Sequence, residues 1–390
     1  MIVRRTLVIA AALGLALIPS AASASTGWVI QPTVDPGGTG ALAFNVLEAV
    51  SCSSATSCTA VGTYFDDNST MSATLAEYWN GTSWQAQPTP TPATIPDYLN
   101  YVELRGVKCV SENACMAVGQ YITPAGVRQT LAEYWNGSAW SIVPTVNPTG
   151  ASASQMNAVA CTATVNCIAV GYYQNSSGTN LPLAERWNGT SWTLQPIPAT
   201  SGGRLRGVSC TSASACTAVG FVGTNALADR WNGSSWKAQT VPKPTGAKEI
   251  QLNDIKCTSG TICTAVGFSS PGTGENTLAE RWNGTSWKVQ STPEPSGGPG
   301  SYTLTGVSCT SASACTAIGD YGNTLVLENT LAEVWNGTAW KVQSTPNAEI
   351  GGFNELLGVS CATGSTCTAV GDSQGDSGSA PVRTVAMQKT

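Results

Sequence analysis

The chain has 390 residues, a net charge of −5, 42% hydrophobic and 11% charged residues, 14 cysteines, 13 tryptophans and no histidine. An acidic chain with no Lys/Arg run lacks the electrostatic footprint for nucleic acid or an anionic membrane surface. Without histidine, Ser-His-Asp and Cys-His catalysis are excluded.

At the N-terminus, residues 1–24 read as an export signal: Arg4 and Arg5, an apolar run from Leu7 to Ile18 too short to span a bilayer, and the small-residue cleavage pattern Ala22-Ser23-Ala24. Residues 25–390 then form one domain, exported, soluble, extracellular and free of the membrane after cleavage. Fourteen cysteines in such a chain predict disulfides.

Past Trp28 the chain repeats itself about every 50 residues. The pair Cys-x5-Cys occurs seven times: Cys52 with Cys58, Cys109 with Cys115, Cys161 with Cys167, Cys210 with Cys216, Cys257 with Cys263, Cys309 with Cys315, and Cys361 with Cys367. Each pair is expected to form its own disulfide. Between pairs, Trp-Asn-Gly-x-x-Trp occurs six times, from Trp79, Trp135, Trp187, Trp231, Trp282 and Trp335. Each unit divides into four short strands, a to d. In the sixth unit these run Leu304–Cys309, Cys315–Gly319, Thr330–Asn336 and Thr338–Gln343. Strands a to c are rich in small and β-branched residues, as suits strands buried on both faces. Asn-Gly between c and d predicts a type I′ hairpin turn.

Units of four antiparallel strands and this length predict an all-β, seven-bladed β-propeller. The thirteenth tryptophan decides the count. Trp28 lies in TGWVIQPTVDP, which matches strand d, yet no strand c precedes it. The last unit ends after Thr384–Gln388, which matches strand c, and has no strand d. Residues 27–32 are therefore expected to close the last blade as an N-terminal clasp.

The unit resembles a kelch-type or Asp-box (BNR-like) blade. CTAVG followed by an aromatic is similar to the kelch strand ending in glycine. Glu333-x-Trp335-Asn336-Gly337 leading to Trp340 and Pro346 is similar to the kelch aromatic, turn, Trp and Pro order, and to the Asp-box turn. The unit has neither the kelch double glycine nor the Asp-box Asp and Ser, so the resemblance implies a fold and not a chemistry.

The cysteine pairs read as staples joining strand a to strand b across a five-residue turn. Zinc would need histidine or closer cysteine spacing, so no metal and no cofactor is expected. The tryptophans read as blade-to-blade packing. A carboxylate recurs two residues before the strand-c tryptophan (Glu77, Glu133, Glu185, Asp229, Glu280, Glu333). It reads as a satisfied structural acceptor, with a ring of calcium or ligand sites as the alternative.

The a–b and c–d turns share one face and are uniform; the b–c and d–a loops share the other and vary, which is where binding is expected. Two sets of residues are candidates there. One is aromatic, just past strand b: Tyr64, Tyr121, Tyr173, Phe268 and Tyr321. The other is a variable position on strand a: Glu48, Arg105, Asn157, Arg206, Asn253 and Thr305, with Leu357 breaking the pattern. Of these, Arg105 and Arg206 are the charged ligand-binding candidates. No catalytic group is unique to one unit, so the chain reads as a monomeric binding module for a glycan or an extracellular protein. A structural scaffold and a glycan-active hydrolase or lyase are the alternatives.

Overall fold

The computed structural model describes residues 27–65, 72–92, 101–295, 300–324, 327–376 and 380–389. The expected export signal, residues 1–24, lies outside them. The described residues form 28 β-strands and no helix. The strands repeat as a four-stranded antiparallel meander. In the sixth unit it comprises Ser301–Ser311, Ala314–Thr324, Leu327–Trp335 and Trp340–Gln343, paired in that order. The fourth, fifth and sixth units are separate four-stranded sheets. The second and third are joined by one parallel pair, Ala153 with Arg128, and the first and last by another, Phe44 with Val382, which gives five hydrogen-bonded sheets in all.

The strand at Trp28–Gln31 pairs antiparallel with Val382–Lys389 at the far end of the chain, Trp28 opposite Lys389 and Gln31 opposite Ala386. Its continuation adds to the join. Thr33 Oγ1 donates to Thr384 O at 3.0 Å, and Thr384 N donates to Asp35 Oδ1 at 2.9 Å. Trp28 is buried with Ile318, Leu356, Val385 and Met387, whereas Val370 and Ala386 pack with Leu47 and Trp79 of the first unit. The apolar clusters thus lie between neighbouring units, and each sheet buries both faces, which explains the near-continuous apolar strands b and c.

Two local features recur in every unit. The first is the disulfide, which forms within its own Cys-x5-Cys pair all seven times. Cys52 bonds to Cys58, Cys109 to Cys115, Cys161 to Cys167 and Cys210 to Cys216. Cys257 bonds to Cys263, Cys309 to Cys315 and Cys361 to Cys367. In each pair the two cysteines are direct partners across the a–b hairpin, as the spacing predicts. The second feature is a β-bulge on strand a, four residues before its cysteine. In the first unit Leu47 faces Gly62 and Ala49 faces Val61, leaving Glu48 as the extra residue. The bulge drives the strand-a backbone into strand b. A Cβ on Gly319 would lie 2.0 Å from Thr303 O, and one on Gly62 1.9 Å from Val46 O. Only glycine fits there, so the glycine that ends CTAVG is set by the bulge.

The c–d turn differs from the expected two-residue type I′ turn. Strand c ends at Trp335 and strand d starts at Trp340, so the loop has four residues, and its glycine alone has positive φ (97° at Gly337). The asparagine acts instead through its side chain: Asn336 Oδ1 accepts from Thr338 N at 3.0 Å, Ala339 N at 3.0 Å and Thr338 Oγ1 at 2.8 Å. This self-capturing Asx loop accounts for Asn, Gly and Ser/Thr together. The flanking tryptophans face each other across the pair with ring centroids 5.8 Å apart.

Candidate functional site

A cavity of about 450 Å³ opens among the first strands of the units. The extra residue of all seven bulges lines it: Glu48, Arg105, Asn157, Arg206, Asn253, Thr305 and Leu357. These are the variable positions singled out on strand a. A bulge leaves its extra residue outside the ladder and re-aims the side chain, and here every bulge aims it at one space.

The lining divides by chemistry. Asn157, Asn253 and Thr305 are partly structural. Asn157 Nδ2 donates to Leu205 O at 2.6 Å, Asn253 Nδ2 to Leu304 O at 3.0 Å, and Thr305 Oγ1 to Leu356 O. Each donor reaches the carbonyl just before the next unit's bulge and so ties one unit to the next. Arg105 pairs with the buried carboxylate of Glu103, which also accepts from Gln120 Nε2 at 2.7 Å and from the Tyr101 hydroxyl. This is the one ion pair among the described residues. Arg206 has no such neutralisation. It is exposed to the cavity, with its guanidinium 5.3 Å from the Phe221 ring centre. Arg204 stands beside it, 4.9 Å from the Tyr172 ring and 5.9 Å from Phe221. The second to fourth units therefore present guanidinium, aromatic and amide groups.

The sixth, seventh and first units present acids. Glu355 and Asp372 are direct cross-strand partners, and Asp320 and Glu328 lie beside Glu355. Burial, then neighbouring acids, pushes Asp320 and Asp372 well above the usual carboxylate range. Burial lifts Glu48 to about 7, against the lowering influence of Arg105.

Of the sequence candidates, the cavity gathers Arg105, Arg206 and Phe268. It does not gather the other aromatics. Tyr64, Tyr121 and Tyr321 pack against the buried clusters between units, with Tyr321 stacked on Tyr302 at 5.9 Å; Tyr173 is half-buried and lines neither cavity nor cluster. The reason is strand parity. Phe268 immediately follows the strand-b glycine, whereas the four tyrosines stand two residues after it, on the opposite face. The row that shares the Phe268 face includes Tyr172, Phe221, Asp320 and Asp372, which sequence reasoning does not single out. Variability right after the CTAVG glycine is the available signal.

The strand-c acids lie away from the cavity, between units. All six have no exposed surface. Glu77 accepts from Val34 N at 3.2 Å and Glu185 from Val146 N at 3.1 Å, which fits the structural-acceptor reading at those two. Burial raises the five glutamates to about 8 and Asp229 to about 6.

No protein-family model matches the chain, and no curated protein matches it in sequence. Solved structures do match in fold. A structure of YCF48 bound to D1 peptide is 11% identical, with 93% of this chain and 94% of that chain covered and a TM-score of 0.51. A fucose-specific lectin from Aleuria aurantia is 12% identical over 77% of this chain and 97% of that one, with a TM-score of 0.46. Sqt1 from Chaetomium thermophilum is 10% identical over 86% and 83%, also at 0.46. At such identities the first of these likenesses speaks to fold alone, and the fold is that of a β-propeller repeat protein.

Proposed function

We propose that the chain is a secreted, kelch-like seven-bladed β-propeller that works as a glycan-binding module without a catalytic step. In this reading residues 25–390 are the domain, and the Trp28–Gln31 strand is the clasp that completes the last blade. The observation that carries the functional reading is the convergence of all seven bulge residues, a variable position of the repeat, on one cavity. Uniform residues at the same bulge would build the scaffold equally well. Variation there suits a ligand without internal symmetry, and the wall chemistry suits a sugar. Phe268 offers an apolar face, and Asn157, Asn253 and Gln251 offer amides.

The test is a glycan array with the mature chain, repeated with Phe268→Ala and Arg206→Ala. Binding above background that both substitutions weaken supports the reading; no binding to any glycan sinks it. One observation favours a second reading, a segment of a cell-surface protein. The unpaired Arg206 and the acids of the sixth and seventh units offer opposite charges on two walls, which suits a peptide bearing both signs. Capture of mixed-charge peptides with no array signal would select it.

A further inference from the structure

The acids at the cavity rim have a feature that ligand recognition does not explain. Antiparallel pairing sets Glu355 directly opposite Asp372, and like charges opposite each other destabilise a sheet. Asp320 and Glu328, from the neighbouring unit, bring further carboxylates. One oxygen each of Asp320, Glu328 and Glu355 lies within 4.8 Å of the others. Asp372 is only 5% exposed, and its carboxyl is hydrogen-bonded to Glu355, another acid. Asp320 lines the cavity and receives no hydrogen bond from any described side chain or backbone group. The charges acting on these groups are all acidic, Glu275 and Glu48 included; no lysine or arginine is among them.

Buried carboxylates need donors, protons or a cation. Calcium takes six to eight oxygens at about 2.3–2.6 Å, so ligands on opposite sides of the ion stand up to about 5 Å apart. The oxygen cluster fits inside that span. Magnesium, at about 2.1 Å with strict octahedral geometry, demands a tighter and more regular set. Carboxylates from three strands and two units suit the looser calcium sphere.

We propose that Asp320, Glu328 and Glu355 are ligands of a calcium ion, with Asp372 as a supporting carboxylate. The ion ties the sixth unit to the seventh on the loop side, where no disulfide reaches. This site shares a wall with the ligand cavity but does not depend on the glycan reading.

The test uses the mature full chain, stripped with EDTA and titrated with calcium chloride, followed by calorimetry and thermal unfolding. One calcium per chain is expected, with a saturable rise in Tm of about 3 °C, and a smaller response to magnesium. Asp320→Asn and, separately, Glu328→Gln should lose the calcium response. In EDTA, Asp320→Asn should unfold at or above the wild-type temperature, because it relieves repulsion among the acids. Arg206→Ala should keep the full response. No heat and no Tm change at millimolar calcium would overturn the proposal, as would an unchanged response in both carboxylate variants. Neither result bears on glycan binding, which is read on the array.

Discussion

The two ends of each unit follow different rules. At the turn end the recurring loops are closed locally: the disulfide closes the a–b hairpin, and the asparagine of the c–d loop captures its own backbone. At the cavity end groups are left over. Arg206 makes no ion pair, Asp320 has no donor, and Glu355 faces Asp372. Repetition therefore marks the part that holds the fold together, and departure from repetition marks the part free to act. The bulge joins the two, because it is identical in backbone at every unit and different in side chain at each.

The sharpest way to break this contrast is to remove the join between the termini. Deleting residues 27–35 takes the partner strand from Val382–Lys389, empties the seat of Trp28 (6% exposed) and removes the Asp35 contacts to Thr384. Loss of one buried tryptophan alone costs about 3–5 kcal/mol. A melting curve close to wild type would mean that the terminal pairing is ornamental. Next in size is Gly319→Ala. Its new Cβ would meet Thr303 O at 2.0 Å, so the bulge must shift, at a cost of roughly 3 kcal/mol. Denaturant unfolding that moves by less than about 1 kcal/mol, on the scale of ordinary surface changes, would show that the bulge does not depend on the glycine.

These two features also mark how far the sequence is legible. The four-strand unit, the pairing of each cysteine with its neighbour and the matching strand at Trp28 can be read because repetition compares seven copies of one solution. The bulge cannot, since a single extra residue has no composition of its own; only the variability of Glu48, Arg105 and Arg206 betrays it. The aromatic set fails on parity, as Phe268 and Tyr321 are one position out of phase on a strand whose faces alternate. The acid cluster is invisible because Asp320, Glu328, Glu355 and Asp372 come from two units, and nothing in the chain order places them together. The Asn-Gly turn is visible but its type is not, because a four-residue Asx loop and a two-residue hairpin share the same dipeptide.

The buried strand-c acids give a third and smaller effect, with a definite sign. Their folded-state values, about 8 for Glu280 and about 6 for Asp229, lie above the ordinary 4.5 and 3.8, so the folded state holds more protons between those limits. Their contribution is fully present below the ordinary values and is lost as pH rises through the folded-state ones. Tm should therefore fall from pH 5 to pH 8. The double substitution Asp229→Asn and Glu280→Gln removes two acids whose oxygens accept no hydrogen bond from a described group. It should flatten that slope and raise Tm at pH 8. A slope unchanged by the substitutions would mean that other groups set the pH dependence.

The smallest expected effect on stability tests the other end of the contrast. Arg206 is exposed, makes no ion pair and rests against Phe221. Arg206→Ala should change stability by no more than about 0.5 kcal/mol, the range of surface substitutions away from structural features. Its neighbours Asn157 and Asn253 occupy the same bulge position but tie one unit to the next through a carbonyl. Asn253→Ala should therefore cost about 1–2 kcal/mol, because Leu304 O loses its donor in a half-buried place. Measured side by side by urea unfolding, the two substitutions separate what one backbone position does for the fold from what it leaves free. Equal losses would mean that Arg206 is as much a part of the scaffold as the asparagines, and the cavity would lose its best candidate for an anionic group of a ligand.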